Sequence, residues 1–410
     1  MARVLFLTQV LPYPLNSGAK IRAYYVLRHL AQRHEVTLVS FVREDDRPEY
    51  AAHMEKICES VHTVPMRRSR LRDLRAAIIT GLTGRSAIIV RDEIKGMHIA
   101  LKRLVKELEF DVVHADQTSM AQYALYAKSQ IPDAEARRTT RLVLDAHNAL
   151  YRIPERMAAH ESNPLKRLAL RREARALARY EAEAYQSFDQ VVFVADEDRH
   201  VLQGRMSGDG SRFTTIPICV DPGQKALIER REEPGAVTHL GTMFWPPNVG
   251  GVLWFAREVF PKVMAETPET RFVVIGKDPP QEVRDLPEQV PNVTVTGYVH
   301  DPAPYLADTA VFIVPLHAAG GMRVKIVDAW CWGVPIVSTS IGAEGIDVQD
   351  GENLLIADTS DAFADAVLRI LQDPTLGEHL RTNGRRWVQE QYDWRRVYAQ
   401  WDAVYDRFLL

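Results

Sequence analysis

In this 410-residue chain, chemistry-bearing residues are densest in the stretch Val311–Glu344, VFIVPLHAAGGMRVKIVDAWCWGVPIVSTSIGAE. An apolar run suited to a buried strand ends at Pro315–Leu316, and a small-residue loop, Ala318-Ala319-Gly320-Gly321, follows it. A helical pattern then runs to Trp332, where Gly333 and Pro335 give a stop signal. A strand, paired glycines and a helix start make an anion site, because free backbone N–H groups and the helix dipole face the incoming charge. Arg323 and Lys325 fall in the first turn, where the dipole disfavours cations. A bound anion resolves that conflict. The alternatives are solvated surface charges, or a Lys325–Asp328 pair at i, i+3. Asp328 lies about two turns into the helix, ~9 Å from its start at ~1.5 Å per residue. There a carboxylate either binds a diol such as ribose or is an ordinary helix-surface group.

The first half repeats the theme in Pro14–Arg22, PLNSGAKIR: a turn, Gly18, then a basic helix start. It is either a second site for an anionic or hydroxylated group or a tight strand-to-helix connection. His147 in Leu144-Asp145-Ala146-His147-Asn148 closes an apolar strand, and His114 closes another. A strand-end histidine is commonly structural, but two on adjacent strand ends favour a functional role for one. The three cysteines, Cys58, Cys219 and Cys331, have no disulfide or zinc spacing, which suits a reducing cytoplasm.

These loops need a scaffold, and the rest of the chain spells one out. Short β-branched runs alternate with amphipathic helical stretches. The strand candidates are Arg3–Thr8, Glu35–Phe41, Asp111–His114, Arg141–Asp145, Gln190–Val194 and Phe213–Ile216, then Ala236–Gly241, Arg271–Ile275, Asn292–Thr296, Ala310–Pro315, Val334–Ser338 and Asn353–Ile356. Helices are expected at Ala19–Gln32, Asp92–Leu108, Val249–Ala265 and Ala362–Gln372. Such alternation implies α/β architecture: two Rossmann-like, doubly wound parallel sheets, facing one another across a cleft. The charged, Pro/Gly-bearing stretch Cys219–Ala236 is the expected hinge. Domains are expected at 1–220 and 221–390, with a Trp-rich helical tail, 391–410, packing back on the first. Met1–Val10 reads as a first core strand rather than a signal peptide, and no apolar run reaches the ~20 residues of a membrane span. Hydrophobic residues are 46% and charged residues 26%, as in globular proteins, which argues against disorder. The net charge of −3 carries no nucleic-acid signature, yet residues 1–225 hold 35 basic against 28 acidic residues, and the remainder 16 against 26.

Taken in order, these pieces resemble the family 4 glycosyltransferases of the GT-B fold over nearly the whole chain. The likeness rests on Ser17-Gly18-Ala19, Asp111-Val112-Val113-His114, Leu144–His147, Phe188-Asp189, Val194-Ala195 and Ile216–Asp221. In the second half it rests on Gly241, Val274-Ile275-Gly276, Thr296-Gly297-Tyr298-Val299 and Gly320–Gly342. The resemblance implies an N-terminal acceptor domain and a C-terminal donor domain. The implied reaction transfers a hexosyl group from a nucleotide diphosphate sugar to a glycan or lipid-linked acceptor hydroxyl, with retention, without metal or cofactor. The family's usual pair of glutamates, with seven residues between them, corresponds here to Gly320 and Asp328. Asp328 then holds the ribose, and sugar contacts fall to backbone at Gly320–Met322, in a branch with Gly-Gly-x-Arg-x-Lys. The family's usual Arg and Lys after the first second-half strand are Thr242 and Asn248, the latter also readable as a helix N-cap. Arg323 and Lys325 are expected to replace those cations on the diphosphate. His147 would orient the donor sugar, the backbone near Tyr298 and Val299 would meet the base, and Gly18 and Gly241 complete the donor set. Two other classes fit the architecture: a nucleotide-sugar epimerase, and a non-catalytic nucleotide-sugar binder. The basic stretches Pro65–Arg75 and Lys166–Arg179, mixed with leucines, suit either a solvated face or an anionic membrane surface. A cytoplasmic protein is expected, peripheral at the membrane in the second case, with no nucleic-acid partner.

Overall fold

The computed structural model describes residues 1–67, 69–203, 210–232 and 234–409. Among the described residues, thirteen strands form two sheets in which every pairing between strands is parallel. The first has seven: β1 Arg3–Thr8, β2 Glu35–Val42, β3 Ser60–Pro65, β4 Val112–Asp116, β5 Arg141–Ala146, β6 Gln190–Phe193 and β7 Phe213–Thr215, in the order β3-β2-β1-β4-β5-β6-β7. The second has six: β8 Ala236–Leu240, β9 Arg271–Ile275, β10 Val293–Gly297, β11 Thr309–Val314, β12 Ile336–Ser338 and β13 Leu355–Ile356, in the order β10-β9-β8-β11-β12-β13. Central strands such as Val4–Leu7 and Val311–Val314 are fully buried, as a sheet covered by helices on both faces requires.

The chain divides into two compact units. One comprises Met1–Cys219, Gly320–Met322 and Trp394–Leu410; the other comprises Val220–Ala319 and Arg323–Asp393. Each encloses its own apolar core. The Trp-rich tail is broken: helix Pro374–Gln391 lies in the second unit, and helices Trp394–Val397 and Gln400–Leu409 in the first. There Trp394 stacks on Tyr25 at 5.4 Å and Trp401 is fully buried.

Three local expectations are corrected. β3 has no counterpart among the strand candidates, because an edge strand reading SVHTVP, with only Val64 buried, lacks an apolar signal. β4 runs on to Asp116, so His114 lies inside the strand rather than closing it. The single helix expected over Val249–Ala265 is a helix Pro246–Trp254, a π-turn Phe255–Val259 and a helix Phe260–Glu266. Pro261 lacks the N–H that a continuous ladder needs, and the wider turn absorbs the loss. Arg68, within the basic stretch Pro65–Arg75, lies outside the described residues.

Candidate functional site

A doubly wound sheet offers ligands a crevice where strand order reverses, beyond the carboxyl ends of the strands. In the second sheet the reversal lies between β8 and β11. The chain leaves β8 at Gly241, and β11 leads through Pro315 to the helix Val324–Trp332. Sequence-distant groups meet here. Lys325 Nζ donates to Asn248 Oδ1 at 2.9 Å, and Asn248 Nδ2 donates to the Thr242 carbonyl at 2.9 Å. A Cβ added at Gly241 would lie 2.6 Å from Lys325 Nζ and 2.7 Å from Asn248 Nδ2. The glycine is what lets the ammonium lie against the end of β8. Asn248 is therefore not the N-cap, a position held by Trp245. It is the residue that positions Lys325.

Arg323 is the N-cap residue of helix Val324–Trp332 and is buried. Burial, reinforced by Arg323, pushes the Lys325 ammonium down to about 7. Burial, reinforced by Lys325, also holds His239 of β8 well below its ordinary value. The i, i+3 pairing of Lys325 with Asp328 is absent; half-buried Asp328 pairs with Lys225 instead. Tyr298 is 68% exposed just beyond β10, while Val299 packs against Ala236, Val273 and Ile275. Thr242 is exposed.

In the first sheet the reversal lies between β1 and β4, and the polar residues there form a buried charge network. Asp116 ends β4, Asp145 lies near the end of β5, and His147 follows β5. His147 Nε2 bonds Asp116 Oδ1 at 2.8 Å and lies 3.7 Å from Asp145 Oδ2. Asp145 is gripped by Arg22, Nε to Oδ2 at 2.8 Å and Nη2 to Oδ1 at 3.0 Å. Arg22 also donates to the Pro217 carbonyl at 2.6 Å and lies over the Tyr398 and Trp401 rings. Of the two readings left open for Pro14–Arg22, Arg22 itself sides with the structural one: it is fully buried and committed to Asp145. Gly18 opens that helix behind Ser17, whose side chain makes no capping bond.

The network balances two cations against two carboxylates. Burial opposes charge on Asp145, but Arg22 outweighs it and holds the carboxyl well below the usual range. Burial pushes Asp116 up, against the pull of His147. For His147 burial opposes the charged form, and Asp116 with Asp145 outweighs it, lifting the imidazole to about 9. The arrangement therefore favours the imidazolium, with Nε2 committed to the Asp116 carboxylate. His114 behaves oppositely. It stacks on Phe6 at 4.2 Å, bonds the Tyr405 hydroxyl at 2.8 Å and is pushed by burial down to about 3, so it is a core residue.

Asp116, Asp145 and His147 offer ligand atoms within 4.8 Å of one another. A divalent cation there would have to displace the His147 proton and share Asp145 with Arg22. The paired glycines are held in the first unit. The Gly321 amide donates to Asp198 Oδ2 at 3.1 Å, as does that of Ala149, while Asp198 Oδ1 takes Arg152 at 3.0 Å. Gly321 adopts φ +70°, and an added Cβ would lie 2.2 Å from the His147 carbonyl. Its amide is thus occupied by a carboxylate in this structure, where the sequence pattern pointed to an anion. Asp116, Asp198 and Lys225 were not singled out from sequence. Their partners lie 31, 123 and 103 residues away, and no local spacing encodes them.

Residues 16–224 match the family model described as Glycosyltransferase Family 4, and residues 234–373 match that described as Glycosyl transferases group 1. The chain is 21% identical to an uncharacterized 44.6 kDa protein in the cps region of Klebsiella pneumoniae, over 97% of this chain and 98% of that one. It is 28% identical to the capsular polysaccharide biosynthesis glycosyltransferase CapM of Staphylococcus aureus, over 30% of this chain and 32% of that one. Among solved structures, HepE of Anabaena in complex with UDP and glucose superimposes with a TM-score of 0.68 at 15% identity, covering 99% of this chain and 100% of that one. The first family model alone spans just over half of the chain, and the chain therefore belongs to Glycosyltransferase Family 4, as a glycosyltransferase of the GT-B fold.

Proposed function

We propose that the chain transfers a hexosyl group from a nucleotide diphosphate sugar to a hydroxyl of a glycan or lipid-linked acceptor, with retention of anomeric configuration, in the assembly of a polysaccharide or glycolipid. The observation that carries this reading is Lys325, brought against Gly241 at the reversal point of the second sheet, with a neutral amide rather than a carboxylate as its hydrogen-bond partner. An enclosed ammonium so placed is complementary to a diphosphate. The names of CapM and of the HepE complex support the polysaccharide and nucleotide parts.

In this reading Lys325 and Arg323 stabilise the charge that builds on the leaving nucleotide diphosphate, the main demand of the reaction. Asp328 exchanges Lys225 for the ribose hydroxyls. Backbone beside Tyr298 and Val299 contacts the base, Gly320 and Met322 lie along the sugar, and Gly18, Gly241 and Thr242 border the donor. His147 donates through Nδ1 to a sugar hydroxyl and orients the anomeric carbon. The departing phosphate takes the acceptor proton, so neither a protein base nor a metal is needed. Thermal-shift screening of UDP-, GDP- and dTDP-sugars identifies the donor, since a ligand stabilises in proportion to its affinity. Proton NMR of the product then reads the new anomeric linkage. No stabilisation by any nucleotide sugar would overturn the donor assignment, and an inverted product would overturn retention.

A further inference from the structure

We infer that helix Arg70–Thr83, together with the first turns of helix Pro164–Ser187, forms a docking surface for a bilayer bearing anionic headgroups. Helix Arg70–Thr83 packs through Ala76 and Thr80, yet Leu71, Leu74, Ile78 and Leu82 are 79%, 59%, 54% and 84% exposed. Their spacing of three, four and four residues places them within about 80° of arc on the outer face, at ~100° per residue. Arg70 and Arg75 border that stripe, while Asp73, the helix's one acidic residue, points roughly opposite.

Helix Pro164–Ser187 reaches the carboxyl end of helix Arg70–Thr83 through two arginines. Arg172 donates to the Thr80 carbonyl, and Arg179 to that of Gly84 at 2.9 Å. Its opening turns carry Leu165 and Leu168, 77% and 64% exposed, among Lys166, Arg167 and Arg171, all exposed as well. Six of the fourteen exposed large hydrophobics among the described residues lie on these two helices. The nearest acidic residue of the second helix, Glu173, faces inward and caps helix Ala87–Arg91 through Ser86, Ala87 and Ile88. The outer surface is therefore leucine and isoleucine edged by arginine and lysine. An apolar interior beneath an anionic rim complements it, and a bilayer interface supplies both.

The test is flotation of the full chain with vesicles of phosphatidylcholine alone or with about one-third phosphatidylglycerol, at low and high salt. Binding is expected to the anionic vesicles only and to weaken with salt. The triple variant Arg70→Glu, Arg75→Glu, Arg167→Glu should weaken it roughly a hundredfold, at about fivefold per basic residue removed. The variant Leu71→Ser, Leu74→Ser, Ile78→Ser should abolish it while keeping the circular dichroism of the parent. Binding that ignores both variants would overturn the inference. So would a stable dimer in sedimentation equilibrium that the serine variant dissolves, because a second copy would then be what covers the stripe.

Discussion

Donor affinity should depend steeply on pH, through Lys325. Its ammonium is pushed down to about 7 by burial and by Arg323, so near neutrality the unliganded protein holds it half protonated. A diphosphate binds the protonated form through a charge-assisted hydrogen bond worth about 1.5–3 kcal/mol. At ~1.4 kcal/mol per unit, that raises the group by about one to two units in the complex. Affinity for a nucleotide sugar should be greatest below pH 7 and fall as pH rises through 7. It should level off near pH 8–9, about ten- to a hundredfold weaker. A nucleotide sugar is the right probe, since its diphosphate is esterified at both ends and does not titrate near neutrality. The assay is isothermal titration calorimetry between pH 6 and 9 in buffers of different ionisation heat, which also reads proton uptake near pH 8. Lys325→Met should bind weakly and with a flat profile, and Asn248→Leu should lessen the affinity by loosening the ammonium. A flat profile in the parent chain, or the same slope in Lys325→Met, would refute this role for Lys325.

Other perturbations separate the remaining parts. His147→Ala should lower turnover by about ten- to a hundredfold, the loss of one charged hydrogen bond, with donor affinity changed less than threefold by calorimetry; equal turnover would remove His147 from the reaction. The raised His147 adds stability that is fully present below its unfolded value near 6.5 and lost as pH rises through about 9. The stability difference between parent and His147→Gln in urea should therefore shrink over that window. Arg22→Met strands Asp145 buried without its cation and should cost about 3–5 kcal/mol in urea unfolding, with Arg22→Met/Asp145→Leu recovering most of it. Chelation by EDTA should leave turnover unchanged; loss reversed by a divalent ion would instead assign Asp116, Asp145 and His147 to a metal.

What could be read before the structure follows the range of the forces involved. Strands such as Arg3–Thr8 and Arg271–Ile275 were legible to the residue, because burial on both faces writes an unbroken apolar run into consecutive positions. The Gly320–Lys325 segment and His147 were legible because glycine pairs and strand ends are local. Strand β3 was not, because an edge strand needs no such run. Nor could sequence say which group answers which. Asn248 looks like a cap until β11 delivers Lys325 to it. Asp328 looks aimed at its own helix until Lys225 takes it. The clearest case is His147. In the sequence it is a strand-end histidine two residues after an aspartate, with nothing nearby to say which protonation state it holds. In the fold, β4 sets Asp116 against Nε2, while helix Gly18–Leu30 brings Arg22 onto Asp145. Four charges from three places in the chain neutralise one another in the core and favour the protonated imidazole. A protonated ring cannot take an acceptor's proton, and that is why the proposed reaction gives His147 the part of a hydrogen-bond donor and leaves the proton to the departing phosphate.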